Sequence, residues 1–162
     1  MSYPEPRYHG HPGLINATFR PAGHAPELTY PSGGTAHYLA TGESTGTKFG
    51  LYRLEMAAEP SGPEPHFHRT ISESFYVLAG TVRLYDGERW IDGSPGDFLF
   101  VPEGGIHAFR NESGEPASML ILFAPGAPRE DYFETLSRVA EGFVLGEDEK
   151  AEFYLRHDNY WV

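Results

Sequence analysis

The chain has 162 residues, of which 40% are hydrophobic and 22% are charged, and these fractions are ordinary for one folded domain. Its net charge of -11, with histidines counted as neutral, argues against nucleic acid and against an anionic membrane surface as partners, because both need a basic face. The absence of cysteine excludes disulfides, thiolate catalysis and thiolate metal ligands.

Residues 1–34 read as an N-terminal arm, because they contain six prolines and five glycines and show no sustained periodicity. They also lack a basic-then-apolar leader, so the expected location is cytoplasmic. The arm carries scattered apolar side chains, and the chain ends in the aromatic segment 160–162. Because both would otherwise leave apolar surface exposed, we expect a homodimer. The alternative is a single chain in which both segments fold back on their own barrel.

Strand signals fill residues 35–125, where short aromatic and β-branched runs alternate with turn-forming residues. The Asp86-Gly87 pair between two apolar runs predicts a tight hairpin. Many short strands at this spacing indicate a sandwich or a barrel. The predicted strands are 35–40, 48–57, 74–78, 81–85, 88–91, 98–101, 106–110 and 118–123.

Residues 126–162 form the third predicted segment, a C-terminal helix and tail. One short helix is predicted from about residue 129 to residue 140, because Pro128 suits a helix start and Glu130 and Asp131 fall in the first turn. Apolar residues follow at helical spacing, and Gly142 marks the end. The apolar stripe is interpreted as packing surface.

The first cluster with chemical potential begins at His66-Phe67-His68. Residues two apart in a strand face the same side, about 7 Å apart, so two imidazoles could converge on one point. Glu73 has the wrong parity for one continuous strand, and a bend through residues 69–72 would let it open the next strand pointing inward.

The second cluster runs from Gly96 to His107 and closes with Asn111. A glycine turn opens a strand, a Pro-x-Gly turn ends it, and His107 begins the next strand. Three imidazoles and one carboxylate from two separate hairpins would form a cage for one divalent transition metal: Fe, Mn, Ni, Co, Cu or Zn.

These two clusters, H-x-H-x4-E-x6-G and G-x5-P-x-G-x2-H-x3-N, resemble the two motifs of the cupin superfamily, over roughly residues 48–124. The family pattern has a glycine six positions before the first histidine, where this chain has Pro60. The resemblance implies an all-β fold, the antiparallel double-stranded β-helix or jelly-roll barrel. It also implies that the metal ligands are His66, His68, Glu73 and His107.

Two alternatives bear on the metal assignment. His9-Gly10-His11 is a second His-x-His pair, but no glutamate follows it at the family spacing, and it lies in the arm. The four-residue set itself could belong to a degenerate cupin that keeps its barrel and binds no metal.

Strand parity predicts an apolar, aromatic-rich pocket beside the metal, although the same rings could simply fill the barrel. The predicted pocket residues are Phe49, Tyr52, Phe75, Val77, Phe98, Phe100 and Phe109. Such a pocket favours a small flat aromatic or polyketide-like substrate over a sugar phosphate.

Among cupins, the chain resembles single-domain quercetin-dioxygenase-like proteins. The resemblance implies a metal-dependent dioxygenase of quercetinase type. We expect Glu73 to be the catalytic residue and to act as general base, because it is a carboxylate beside a metal in an apolar pocket. A redox-neutral cyclase or isomerase with Zn at the same site stays open, as does a non-catalytic small-molecule-binding cupin.

Overall fold

The computed structural model describes residues 2–162, and the secondary structure of that range is eleven β-strands and two α-helices. The strands are β1 (Leu28–Thr29), β2 (Thr35–Ala40), β3 (Gly50–Met56), β4 (His66–Phe67), β5 (Ser72–Ala79), β6 (Val82–Tyr85), β7 (Trp90–Gly93), β8 (Phe98–Val101), β9 (Ala108–Arg110), β10 (Ala117–Ala124) and β11 (Tyr160–Trp161). The helices are α1 (Glu130–Ala140) and α2 (Glu147–Arg156). The predicted all-β class is confirmed.

All strand pairings are antiparallel. Six strands form one sheet in the order β1-β2-β3-β10-β5-β8, three form a second sheet in the order β7-β6-β9, and β11 pairs with β4. Alternate residues of β10 enter the core, where Met119, Ile121 and Phe123 are almost fully buried. Burying a side chain of this size contributes about 1.5–3 kcal/mol, so each of these three residues stabilises the barrel by an amount of this order.

The turn after β5 depends on a glycine. Gly80 has a φ of +70°, and a Cβ atom at this position would lie 2.4 Å from the backbone oxygen of Pro116. Only glycine satisfies both the left-handed conformation and the close approach. The first cluster's closing glycine therefore ends the strand that carries Glu73.

The C-terminal segment contains two helices, so the prediction of one helix is corrected. The helix predicted at 129–140 is α1. The second helix, α2, was missed because its charged sequence shows no apolar stripe and buries only Phe153. That ring stacks on Tyr132 of α1 at a centroid distance of 5.4 Å, so tertiary packing stabilises a helix with a weak sequence signal.

The first part of the N-terminal arm is exposed, and its last part joins the sheet. Residues 2–19 contain no helix or strand and are exposed throughout, and the first strand of the described chain is β1, which pairs with β2. The segment boundaries 1–34, 35–125 and 126–162 stay a prediction. Neither helix within residues 2–162 has the length and apolar character needed to cross a membrane.

Candidate metal centre

Four ionisable side chains from three parts of the barrel meet in its interior. His66 lies in β4, Glu73 in β5, His68 just after β4, and His107 just before β9. Their exposed fractions are between 1% and 4%. One candidate ligand atom from each lies within 4.8 Å of all the others. The four residues singled out in the sequence are therefore neighbours in space.

The backbone holds the two motifs together at this point. His66 and His107 form an antiparallel bridge, with backbone N–H to O distances of 3.0 and 2.9 Å. The bend through residues 69–72 resets the strand parity as expected, so Glu73 shares the buried face of β5 with Phe75 and Val77. Strand β4 and the bend that follows it thus position His66, His68 and Glu73.

Each of the three histidines uses its Nδ1 atom to contact a backbone carbonyl. The acceptors are Glu64 for His66 at 2.9 Å, Asp158 for His68 at 2.6 Å and Gly105 for His107 at 2.9 Å. A carbonyl oxygen can only accept a hydrogen bond, so each Nδ1 carries the proton. This leaves the three Nε2 atoms directed at the common centre, in the tautomer that metal-binding histidines adopt.

The electrostatics of the cluster centre on Glu73, whose Oε2 atom lies 2.8 Å from Nε2 of His107 and 3.1 Å from Nε2 of His68. Burial alone would raise the pKa of Glu73, but its interactions with His107 and His68 hold the pKa well below its usual range. Burial opposes protonation of His107, yet the Glu73 carboxylate outweighs it and raises the pKa of that imidazole. Burial, reinforced by His107, lowers the pKa of His66 to about 4.

The donor set fits a divalent transition metal. Three imidazole nitrogens and one carboxylate oxygen are the ligands that Fe, Mn, Ni, Co, Cu and Zn accept, and thiolates are absent from the sequence. The three backbone carbonyls that accept hydrogen bonds from the Nδ1 atoms fix the ring orientations without an ion. The four residues are therefore suited to hold one ion, whose identity stays open.

The C-terminal segment supports this centre, which the sequence reasoning missed. The Asp158 carboxylate accepts hydrogen bonds from the backbone N–H groups of Arg69 and Thr70, and from the Thr70 hydroxyl. Its carbonyl accepts the bond from His68, and Trp161 pairs with His66 across β11 and β4. The sequence signal was only an aromatic chain end, which does not reveal the element it pairs with.

A cavity of about 500 Å³ opens beside the cluster, and His66 and Glu73 lie in its wall. The rest of the wall is mainly apolar and includes residues from 30–35, from β3 and the loop after it, and from β9, β10, α1 and the end of the chain. Residues of that wall include Leu54, Phe123, Phe133, Leu136, Tyr154 and Trp161. The cavity is thus large enough for a small aromatic molecule.

The predicted pocket residues are distributed differently from expectation. Phe109 lines the cavity. Tyr52, Phe75 and Val77 face inward and are fully buried in the core, but they do not line the cavity. Phe49 is half-buried and also lies outside the cavity wall.

The predicted inward orientation of Phe98 and Phe100 is wrong. Their side chains are 63% and 56% exposed, whereas Leu99 and Val101 take the inner face of β8. The register explains the reversal, because β8 pairs with β5 through Val101 opposite the inward-facing Glu73. A strand of four residues has no internal signal that distinguishes its two faces when both are apolar.

An antiparallel barrel with a three-histidine, one-glutamate cluster between two motif hairpins defines the cupin class. Residues 52–123 match the family described as Cupin domain, and the chain belongs to the cupin superfamily. Among solved structures, it is similar to KdgF from Halomonas sp., with a TM-score of 0.60 and 18% identity, covering 72% of this chain and 99% of that chain.

Two curated proteins are similar to this chain in sequence. The chain is 30% identical over 137 residues to quercetin 2,3-dioxygenase of Bacillus subtilis (strain 168), covering 74% of this chain and 40% of that protein. It is 37% identical over 68 residues to an uncharacterized protein of Aquifex aeolicus (strain VF5), covering 41% of this chain and 54% of that protein. The chain thus spans about half of the length of these relatives.

Proposed function

We propose that this chain is a metal-dependent cupin enzyme that acts on a small aromatic or polyketide-like molecule as a dioxygenase of the quercetinase type. The observation that carries the proposal is the buried His66, His68, Glu73 and His107 cluster in the wall of an apolar cavity. The similarity to a quercetin 2,3-dioxygenase supports the choice of chemistry.

The Nε2 atoms of the three histidines and a carboxylate oxygen of Glu73 would hold the ion. A bound divalent metal would act as a Lewis acid that lowers the pKa of a substrate hydroxyl group. Glu73 would accept the proton of that hydroxyl at a carboxylate oxygen, since it borders both the metal position and the cavity. The aromatic wall would orient a flat ring and exclude water from the reacting face.

The proposed setting is cytoplasmic, with a small molecule as substrate. The net charge of -11 supports a role without nucleic acid or an anionic membrane surface, because neither is attracted to an acidic protein.

Oxygen uptake tests the proposed reaction. Protein reconstituted separately with Fe, Mn, Ni, Co, Cu and Zn is given a panel of flavonols and other polyphenols in an oxygen electrode, with mass spectrometry of the products. We expect oxygen consumption matched by a product that contains both oxygen atoms. Product formed anaerobically would indicate a redox-neutral cyclase or isomerase, and binding without product for every metal would indicate a non-catalytic binding module.

A homodimer is also proposed, since the arm exposes Leu14, Ile15 and Phe19, each more than three-quarters accessible, and β8 exposes Phe98 and Phe100. Apolar surface of this extent is typical of a contact between subunits. We expect a dimer for the full chain in sedimentation velocity, and a shift toward monomer when residues 2–19 are removed or when Phe98 and Phe100 are both replaced by glutamate. A monomeric full chain would contradict the proposal.

A further inference from the structure

The cavity wall carries a buried positive charge. Arg129 lies directly before α1 and is only 4% exposed. It borders the same cavity as His66 and Glu73. Removing a guanidinium ion from water is costly unless an opposite charge compensates it. A negatively charged partner is therefore expected beside Arg129.

The hydrogen-bond acceptors of Arg129 among residues 2–162 are neutral. Nη1 of Arg129 donates to the backbone oxygen of His157 at 2.7 Å, and Nη2 reaches Oδ1 of Asn159 at the long distance of 3.5 Å. Nε of Arg129 has no hydrogen-bond partner, and neither has Nδ2 of the adjacent Asn159, which is 1% exposed. Two neighbouring buried donor groups thus lack a hydrogen-bond acceptor.

No carboxylate within residues 2–162 takes part in an ion pair with Arg129. Glu73 borders the same cavity, but its Oε2 atom is engaged by His68 and His107. The guanidinium instead packs over aromatic rings, with its carbon 4.1 Å from the centroid of Tyr132 and 4.9 Å from that of Phe123. Cation–π contacts stabilise a cation without neutralising it, so the charge stays available to an anion.

The hydrogen bond to His157 does not by itself explain the charge at this position. The bond to His157 fastens the C-terminal segment to the start of α1, but a neutral donor could form the same bond. A planar guanidinium is instead the side chain best matched to a carboxylate, which it binds through charge-assisted hydrogen bonds. The cavity wall around it is mainly apolar, so an anion held there would be poorly screened by water.

We infer that Arg129 determines substrate specificity by supplying the counter-charge for a carboxylate on the apolar molecule that the cavity binds. The inference rests on the proposed function, in which this cavity is the substrate site. It narrows the substrate class from small aromatic or polyketide-like molecules to those that carry a carboxylate. Arg129 would position the acid end while the rest of the molecule extends toward His66 and Glu73.

Binding to chelator-treated protein tests the inference, because a carboxylate cannot then bind to a metal ion instead. The probes are benzoate, 2-naphthoate and biphenyl-4-carboxylate, each compared with its neutral primary amide by isothermal titration calorimetry. We expect at least one acid to bind at least about tenfold more tightly than its amide. The readout requires no turnover, so it is independent of the oxygen-uptake test of the reaction itself.

Three variants of this region carry the test further. Arg129→Met should abolish the preference for the acid, and Arg129→Lys should retain part of it. Asn159→Asp should also abolish the preference by neutralising Arg129 from within, while melting no lower than the wild type because it forms an internal ion pair. The control is Arg138→Met, an exposed arginine of the same helix, which should leave the preference unchanged.

The outcomes separate this inference from the proposed function. Equal binding of acids and amides, or a preference for acids that persists in Arg129→Met and Asn159→Asp, would overturn the role of Arg129. Failure of all six probes to bind would overturn it as well. Oxygen uptake with neutral polyphenols alongside any of these results would leave the dioxygenase proposal intact.

Discussion

Replacing His66 or His107 by alanine is expected to lower the bound metal from about one ion per chain to less than about a tenth of that, because one imidazole of a four-residue set is lost. The barrel should stay folded, since its core of Phe75, Met119 and Phe123 is apolar and continuous without the cluster. The measurement is metal analysis by mass spectrometry after dialysis, with circular dichroism to verify the fold.

Thermal unfolding gives a second readout of the same change. An ion present at about a hundredfold excess over its dissociation constant stabilises the folded chain by about 2.7 kcal/mol. For a chain of this size, that corresponds to a chelator-induced fall in melting temperature of roughly 5–10 °C. The fall should be seen in the wild type and should vanish in His66→Ala and His107→Ala.

The matched control is the double substitution of His9 and His11, a His-x-His pair that lies in the exposed arm. It should retain both the metal and the response to chelator. Undiminished metal content in His66→Ala would show that the four-residue cluster is not the binding site. Metal-free wild-type protein that fails to take up any of the six ions would instead favour the degenerate cupin.

Glu73→Gln is expected to lower kcat by about 10²–10⁴-fold, because a positioned general base contributes a factor of this size. The amide keeps an oxygen that could bind the ion, but it cannot accept the substrate proton. Binding of the substrate should change much less than turnover. Steady-state kinetics on fully metal-loaded protein measures the effect, with the rate expressed per bound ion.

Glu64→Gln is the matched control for this substitution. The Glu64 side chain is exposed and pairs with Arg110, while its backbone oxygen, which orients His66, is unchanged by the substitution. Turnover should therefore stay near the wild-type value. A Glu73→Gln protein with an undiminished rate per bound ion would exclude Glu73 as the base and would leave it a ligand only.

The local part of the site could be predicted from the residues because it depends on short-range geometry. The His66-x-His68 spacing places two rings on one side of an extended chain, and the bend before Glu73 resets its direction. Turn chemistry around Gly80 and before His107 marks where the strands end. These patterns made the clustering of the four residues, the barrel class and α1 predictable.

The long-range part could not be predicted in the same way. Whether Leu99 or Phe100 faces inward depends on the register between β8 and β5, and both faces of β8 are apolar in sequence. The stability of α2 depends on the stacking of Phe153 against Tyr132, because the charged helix has little amphipathic character of its own.

The sequence by itself determined the chemistry that is available, three imidazoles and one carboxylate in two hairpins, because ligand identity and local spacing are properties of neighbouring residues. Only the tertiary structure decided what surrounds that chemistry. It brought Asp158 and Trp161 back to β4, and it enclosed the charge of Arg129 in the cavity wall. The physical reason is that burial and pairing arise between residues that are distant in the chain. No local sequence pattern indicates which of these residues become buried together.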